Sequence, residues 1–334
     1  MKILRLGQEP HVEVEYEAIE IAPNEYITWD HLHGFDANYR SPTLDMFDTG
    51  VVHTEYIFPE QVKKQYPDLD LRFDATMMVH NNHFDSYQYH INSVPLKISA
   101  NFVSTFNKSR SDTKQNFLLI CYANGWINSN YCSKFFAISA VYAENFFASI
   151  NRPVPLDLDD FCQSTWQFEM SGYGNAKFDL SILGPKIQQS FIHVVTETIG
   201  NSAVPFPTEK LLLPIANQTL WIGYAPAGYH NYVEKYLGFK PYRYIDYDFD
   251  SVADPVQRLL AIEQVLLKLS TMTPQEQQAL YDANQDIIEY NYQLIKSGEF
   301  IQNLKKHDQA SDTIRAYRQR MLQNKRYRNY MDIT

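Results

Sequence analysis

The stretch from Phe191 to Gly223, FIHVVTETIGNSAVPFPTEKLLLPIANQTLWIG, limits the possible folds more than any other part of the chain. It opens and closes on short, almost wholly apolar runs, FIHVV and LWIG, the pattern of strands buried on both faces. Between them Thr208 is a natural helix cap, followed by apolar helix formers. Strand, helix and strand in this order build a parallel sheet with helices packed on its faces.

The same pattern recurs on both sides. Leu96–Phe106 predicts a strand, followed by the polar turn NKSRSD and an apolar helical run over Gln115–Tyr122. Downstream, Gly228–Leu237 and Pro255–Leu269 predict helices, with a strand at Tyr242–Asp246 between them. Residues 96–272 therefore read as a doubly wound, Rossmann-like α/β domain. Residues 1–95 read as a separate α/β domain of short strands, among them the alternating His11–Ile21 and RFDATMMVH at Arg72–His80. From Thr273 the pattern is helical. Thr273-Pro274-Gln275-Glu276 is a capping box, the helix should run to about Lys296, and Gly298 should stop it. A last basic helix is expected over Ser311–Asn329. The tail, 273–334, is expected to pack back across the two domains.

Composition excludes several classes. A net charge of −10 disfavours a general nucleic-acid binder, which needs basic surface to displace counterions. The charge is uneven, since Lys305 to Arg328 holds a dense run of Lys and Arg in an otherwise acidic chain. Such a helix suits packing on the body, weak contact with an anionic surface, or local contact with nucleic acid. Cys121, Cys132 and Cys162 make no disulfide framework and no CxxC pair. The opening residues lack the apolar core of a signal peptide, and no apolar run reaches the roughly 20 residues that cross a bilayer. The expectation is a cytoplasmic protein, of a bacterium or a virus-infected cell, with no transmembrane segment.

Ligands of open parallel sheets bind beyond the carboxyl ends of the strands. Three features of the 191–223 stretch fall on that edge: Glu197 after the first strand, Thr208-Glu209-Lys210 at the helix start, and Gly223 at the end of the second strand. Free N–H groups and the helix dipole at Thr208 attract anionic oxygens, and Lys210 adds a full charge. Glu197 or Glu209 suits ribose hydroxyls. The set fits a nucleoside diphosphate. The same residues also suit a plain capped helix with a solvated lysine.

The Phe191–Glu197, Thr208-Glu209-Lys210 and Leu220–Gly223 segments together resemble the donor site of the fucosyltransferase-type enzymes (glycosyltransferase family ten) and of related phage and giant-virus proteins. ANFVSTFNKSRSDTKQNFL (100–118) is similar to the first strand and turn of that donor domain. There a basic residue after the turn contacts phosphate. Lys114 stands at that position, with Lys108 and Arg110 nearby. The resemblance covers roughly residues 97–297. It implies a GT-B fold, two facing Rossmann-like domains, and an inverting, metal-independent transfer from a nucleotide sugar to a hydroxyl. It implies no cofactor. The donor would be held by Glu197, Thr208, Glu209, Lys210, Gly223, Lys114, Arg110 and Lys108, with Glu209 also close to the chemistry. A catalytic base is expected from the N-terminal half, where Asp36 and Asp85 come first and Glu55 behind them. The acceptor is a glycan, a lipid-linked saccharide, a protein or a modified base in viral DNA.

Other motifs point elsewhere. Asp68-Leu-Asp70, Asp157-Leu-Asp159 and Asp248-Phe-Asp250 each have the spacing of a divalent-metal pair, which is common in acidic chains. His31, His33, His80 and His83 lie near Asp30 and Asp85 without an HExxH pattern. No P-loop, Gly-rich dinucleotide fingerprint or GxSxG elbow is present. A binding or structural protein that keeps a sugar-nucleotide fold without turnover is the alternative to an enzyme.

Overall fold

Two compact units account for the chain: residues 1–86, 202–206 and 299–334 form the first, and 87–201 with 207–298 form the second. The computed structural model describes residues 3–5, 18–28, 35–81, 98–106, 112–127, 131–134, 136–165, 180–197 and 200–323.

The first unit carries a mixed sheet of β1 (Ile3–Arg5), β2 (Ala18–Ala22), β3 (Glu25–Thr28), β4 (Gly50–Thr54) and β5 (Leu69–Phe73) in the order β1-β2-β3-β4-β5. Only β2 and β3 pair antiparallel, through a tight turn with Asn24 at φ 58°. The other neighbours are parallel. Helix α1 (Glu60–Gln65) connects β4 to β5, and α2 (Ala75–Asn81) follows β5. Phe35, Tyr56, Phe58, Val62, Leu71, Val204 and Phe206 share one apolar core. The 202–206 segment is pinned to Phe35, whose N–H donates to Ser202 Oγ at 3.0 Å and whose carbonyl accepts from Ala203 N–H at 2.8 Å.

The second unit carries a fully parallel sheet of β6 (Ala100–Phe106), β7 (Cys132–Lys134), β8 (Ser190–Thr196) and β9 (Leu220–Tyr224), ordered β7-β6-β8-β9. Every residue of β8 and β9 is buried, as the two apolar runs require. Helix α3 (Asp112–Ala123) leads from β6 to β7, and α4 (Ala140–Ser149), α5 (Leu158–Gln163) and α6 (Leu180–Gln188) lead from β7 to β8. Helix α7 (Glu209–Ala216) lies between β8 and β9. Helices α8 (Tyr229–Tyr232), α9 (Pro255–Ser270), α10 (Pro274–Asp282) and α11 (Gln285–Ser297) complete the unit. The chain leaves β6 toward β7, then returns to its other side as β8. The connections therefore diverge between β6 and β8, and their carboxyl ends form the topological switch point where open sheets place ligands.

The helical region from Thr273 is divided between the units. Helices α10 and α11 count with the second, whereas α12 (Glu299–Lys305) and α13 (Asp312–Gln323) count with the first. The change of unit near residue 86 falls before the expected boundary at 95. The capping box at Thr273 and Glu276 is present, and Gly298 ends α11 at φ 71°.

Three local expectations are corrected. RFDATMMVH is not one strand. Asp74 Oδ1 accepts from Thr76 N–H at 3.0 Å and starts α2, so the strand stops at Phe73. Tyr242–Asp246 is irregular: Arg243 N–H donates to Asn284 Oδ1 at 2.7 Å rather than to a neighbouring strand, and Tyr244 has φ 67°. The helix expected from Thr273 to about Lys296 is two helices, α10 and α11, and Asn284 between them turns its side chain to Arg243. No helix among the described residues is long and apolar enough to cross a membrane.

Candidate functional site

Glu197 is the first residue beyond β8, and its N–H continues the ladder to Tyr224 O at 3.2 Å. The side chain is fully buried. Oε1 accepts from Thr208 N–H at 3.0 Å and from Tyr229 Oη–H at 2.6 Å, and Oε2 accepts from Thr208 Oγ1–H at 2.6 Å. Both oxygens are thus engaged by donors of the protein itself. Burial, reinforced by the Glu197 charge, raises the Tyr229 phenol well above its ordinary range, which keeps it a donor.

Thr208 caps α7 in extended geometry. With its hydroxyl proton committed to Glu197, Oγ1 faces Lys210 with its lone pairs. Lys210 Nζ donates to Thr208 Oγ1 at 3.0 Å and to Glu209 Oε1 at 2.9 Å. The Lys210 and Glu209 side chains keep partial exposure, at 19% and 17%. The sequence-predicted Glu197, Thr208, Glu209 and Lys210 therefore form one hydrogen-bonded chain, running from buried Tyr229 to a partly exposed ammonium at a helix start. Such an end offers an anion the first-turn N–H groups of a helix, beside a Lys210 charge that is paired with Glu209.

Gly223 serves the same edge through its missing side chain. A Cβ there would lie 2.9 Å from the Tyr229 ring and 3.4 Å from His230. Its N–H donates to His230 Nε2 at 3.1 Å, so Nε2 is an acceptor and Nδ1 carries the proton toward Asp250 Oδ1 at 3.0 Å. Asp250 also accepts from the main-chain N–H of His230 at 3.0 Å and of Asn231 at 3.3 Å. Burial alone would raise the Asp250 carboxyl, yet these hydrogen bonds hold it below its ordinary value. Trp221 stacks on the His230 ring at 5.2 Å.

At the switch point the loop after β8 meets the first turn of α3. A Cβ on Gly200 would lie 2.2 Å from the Thr113 side chain. Gly200 O accepts from Arg258 Nη2 at 2.9 Å, while Arg258 Nη1 donates to Val252 O at 2.6 Å and Ala253 O at 3.0 Å. Arg258 is buried, and that burial lowers its guanidinium from the usual range. It joins three loop carbonyls at the carboxyl edge. Lys114 is buried in the first turn of α3, whereas Lys108 and Arg110 lie outside the described residues.

Of the three base candidates the structure describes two, Asp36 and Glu55. Asp36 is exposed, and its Oδ1 accepts from Asn38 N–H at 2.8 Å and Arg40 N–H at 2.9 Å, an Asx-type turn. Glu55 is fully buried directly after β4. Asp85 lies outside the described residues, as do Asp30, His31, His33, His83 and the His80 side chain. Two of the Asp-x-Asp triplets have members engaged within the protein: Asp70 pairs with Arg72 at 2.6 Å and Asp250 with His230. Among the described residues no group of three or more His, Cys, Asp or Glu side chains could hold a metal ion.

Tyr229, His230, Asp250 and Arg258 were not expected from sequence as parts of this edge. The available signal was Gly223 itself, because a glycine at a strand end marks close approach of another group. No protein-family model matches the chain, and neither does any curated protein or solved structure.

Proposed function

We propose that the chain is a glycosyltransferase of the GT-B type, which moves a sugar from a nucleotide sugar to a hydroxyl acceptor by metal-independent, inverting displacement. One observation carries this reading: Lys210 sits at the start of α7, at the carboxyl edge of a parallel sheet, held by Thr208 over buried Glu197. A leaving diphosphate needs fixed positive charge of this kind. In this reading Lys210, Glu209 and the first turn of α7 meet the donor, with Lys114, Lys108 and Arg110 on the phosphates. Glu197 and Gly223 position them from behind. The first unit supplies the acceptor side and the base, among Asp36, Asp85 and Glu55. The acceptor is a glycan, a lipid-linked saccharide, a protein or a modified base in viral DNA. The basic tail makes weak contact with an anionic surface, and the protein works in the cytoplasm.

A thermal-shift screen with GDP-, UDP-, CMP- and dTDP-linked sugars tests this. One donor should raise Tm, and Lys210→Ala, folded to the same degree, should abolish that rise. An unchanged rise in Lys210→Ala removes the donor assignment. Among alanine variants at Asp36, Asp85 and Glu55, one should bind donor normally yet transfer nothing. Unimpaired turnover in all three removes the base assignment.

A second reading is a sugar-nucleotide-fold binding protein without turnover. It is favoured by the internal satisfaction of the network, in which Glu197 and two N–H groups of Lys210 already have partners in the protein. Tight nucleotide binding with neither transfer nor hydrolysis would support it.

A further inference from the structure

In the first unit β5 is an outer strand, paired with β4 alone among the described strands. Successive residues of a strand turn their N–H and C=O groups to alternate sides. Asp74 N–H donates to Thr54 O at 2.8 Å, so Asp74 faces β4 and Phe73 faces outward. Gln309 takes up that outward residue. Its N–H donates to Phe73 O at 2.8 Å, and its Oε1 accepts from Phe73 N–H at 3.3 Å. It sits on the edge as a paired strand residue would.

Leu71, two residues back, faces outward by the same alternation. Among the described residues nothing pairs with its N–H or C=O on that side. Leu69 beyond it has its N–H taken by Tyr66 O at 3.2 Å. The open edge is thus bounded by Gln309 at one end and Tyr66 at the other. Four strand steps of about 3.3 Å separate Leu69 from Phe73, which leaves room for about three residues of extended chain. A cleft of about 470 Å³ follows this stretch, and Lys63, Tyr66, Leu71, Arg72 and Gln309 are among its lining residues.

The lining also selects charge. Asp70 is occupied by Arg72, which donates to it through Nε at 3.0 Å and Nη2 at 2.6 Å. Lys63, 45% exposed, is then the cation of the lining that no lining carboxylate holds; its partner Glu60, at 3.4 Å, lies outside the lining. We propose that the cleft is a strand-addition site for a short extended peptide segment bearing an acidic side chain. One residue of the segment pairs with Leu71 through two main-chain hydrogen bonds, and a neighbouring carboxylate meets Lys63. This inference is independent of the proposed transferase activity.

The test uses the full chain and a fluorescein-β-alanyl-Val-Glu-Val-Glu-Val-amide, labelled through its N-terminus, read by anisotropy and by the backbone amide shift of Leu71. The peptide should bind at least tenfold more tightly than its lysine analogue, and it should move the Leu71 amide. N-methylation of its central valine should weaken binding at least tenfold without altering the protein. Lys63→Glu should weaken it similarly. Leu71→Pro removes the outward N–H in a place where edge strands accept proline. Should that variant fail to fold, the N-methyl peptide and Lys63→Glu still decide. Equal binding of acidic and lysine peptides, no effect of N-methylation, or no Leu71 shift at millimolar peptide overturns the proposal.

Discussion

Thr208 gives Glu197 two hydrogen bonds, one from its main-chain N–H to Oε1 at 3.0 Å and one from its hydroxyl to Oε2 at 2.6 Å. The residues are eleven positions apart, with a segment counted with the other unit between them. This two-point contact fixes the first turn of α7 against the end of β8, and so sets where Lys210 stands.

Glu197→Gln keeps the volume but turns one acceptor into a donor, which then faces Thr208 or Tyr229. Leaving buried donors unpaired should cost about 1–3 kcal/mol. Urea denaturation should show a lower midpoint with unchanged slope. Wild-type stability in Glu197→Gln would mean the contact is not organising the turn.

Thr208→Ala removes both a cap and a donor to Glu197, for an expected loss of about 1–2 kcal/mol. Thr208→Ser keeps both and should recover most of it. Equal loss in the two variants, measured by the same denaturation, would assign the effect to the methyl group instead.

Gly223→Ala drives a methyl group to 2.9 Å from the Tyr229 ring. Overpacking of this kind costs about 1–3 kcal/mol. Tyr229→Ala should itself destabilise, but in that background Gly223→Ala should become nearly neutral. A double-mutant cycle reads the coupling, and additive effects would contradict the packing argument.

His193, buried in β8, has its imidazole pushed down by burial to about 3 from an ordinary 6.5. Between those values the unfolded chain binds a proton that the folded one refuses. Its contribution is therefore complete above pH 6.5 and is lost as pH falls toward 3, at no more than about 1.4 kcal/mol per pH unit. His193→Leu should flatten that part of the stability profile, as measured by urea midpoints from pH 7 to pH 4. An unchanged slope would show that His193 is not its source.

Arg258→Met should leave the carbonyls of Gly200, Val252 and Ala253 without their shared donor, at a cost of about 3 kcal/mol. Amide exchange should rise in the loops around Gly200 and Val252. Unaltered exchange there would mean that other contacts hold those loops.

The parallel α/β character of the second unit was legible in the residues, because FIHVV and LWIG leave no polar face for water and must be buried on both sides. The sequence also placed Glu197, Thr208 and Lys210 on one sheet edge, since alternating strand and helix put successive loops at the same end. The Thr273 capping box was equally legible, being a local hydrogen-bond pattern. The folded chain adds that a helix starts at Asp74 inside RFDATMMVH and that Asn284 pairs with both main-chain groups of Arg243 in the irregular Tyr242–Asp246 stretch. Tertiary structure also decided that α10–α11 and α12–α13 count with different units. The Asn284 contact and the division of the helices depend on partners that sequence spacing does not bring together, whereas the start at Asp74 is a local cap on Thr76 N–H, backed from afar by Asp308 Oδ1, which accepts from Ala75 N–H at 3.0 Å. The same holds at the edge itself. Lys210 is a charge at a helix start in any reading of the chain, but its support by Thr208, Glu197 and Tyr229 exists only once β8, α7 and α8 are folded around one buried carboxylate.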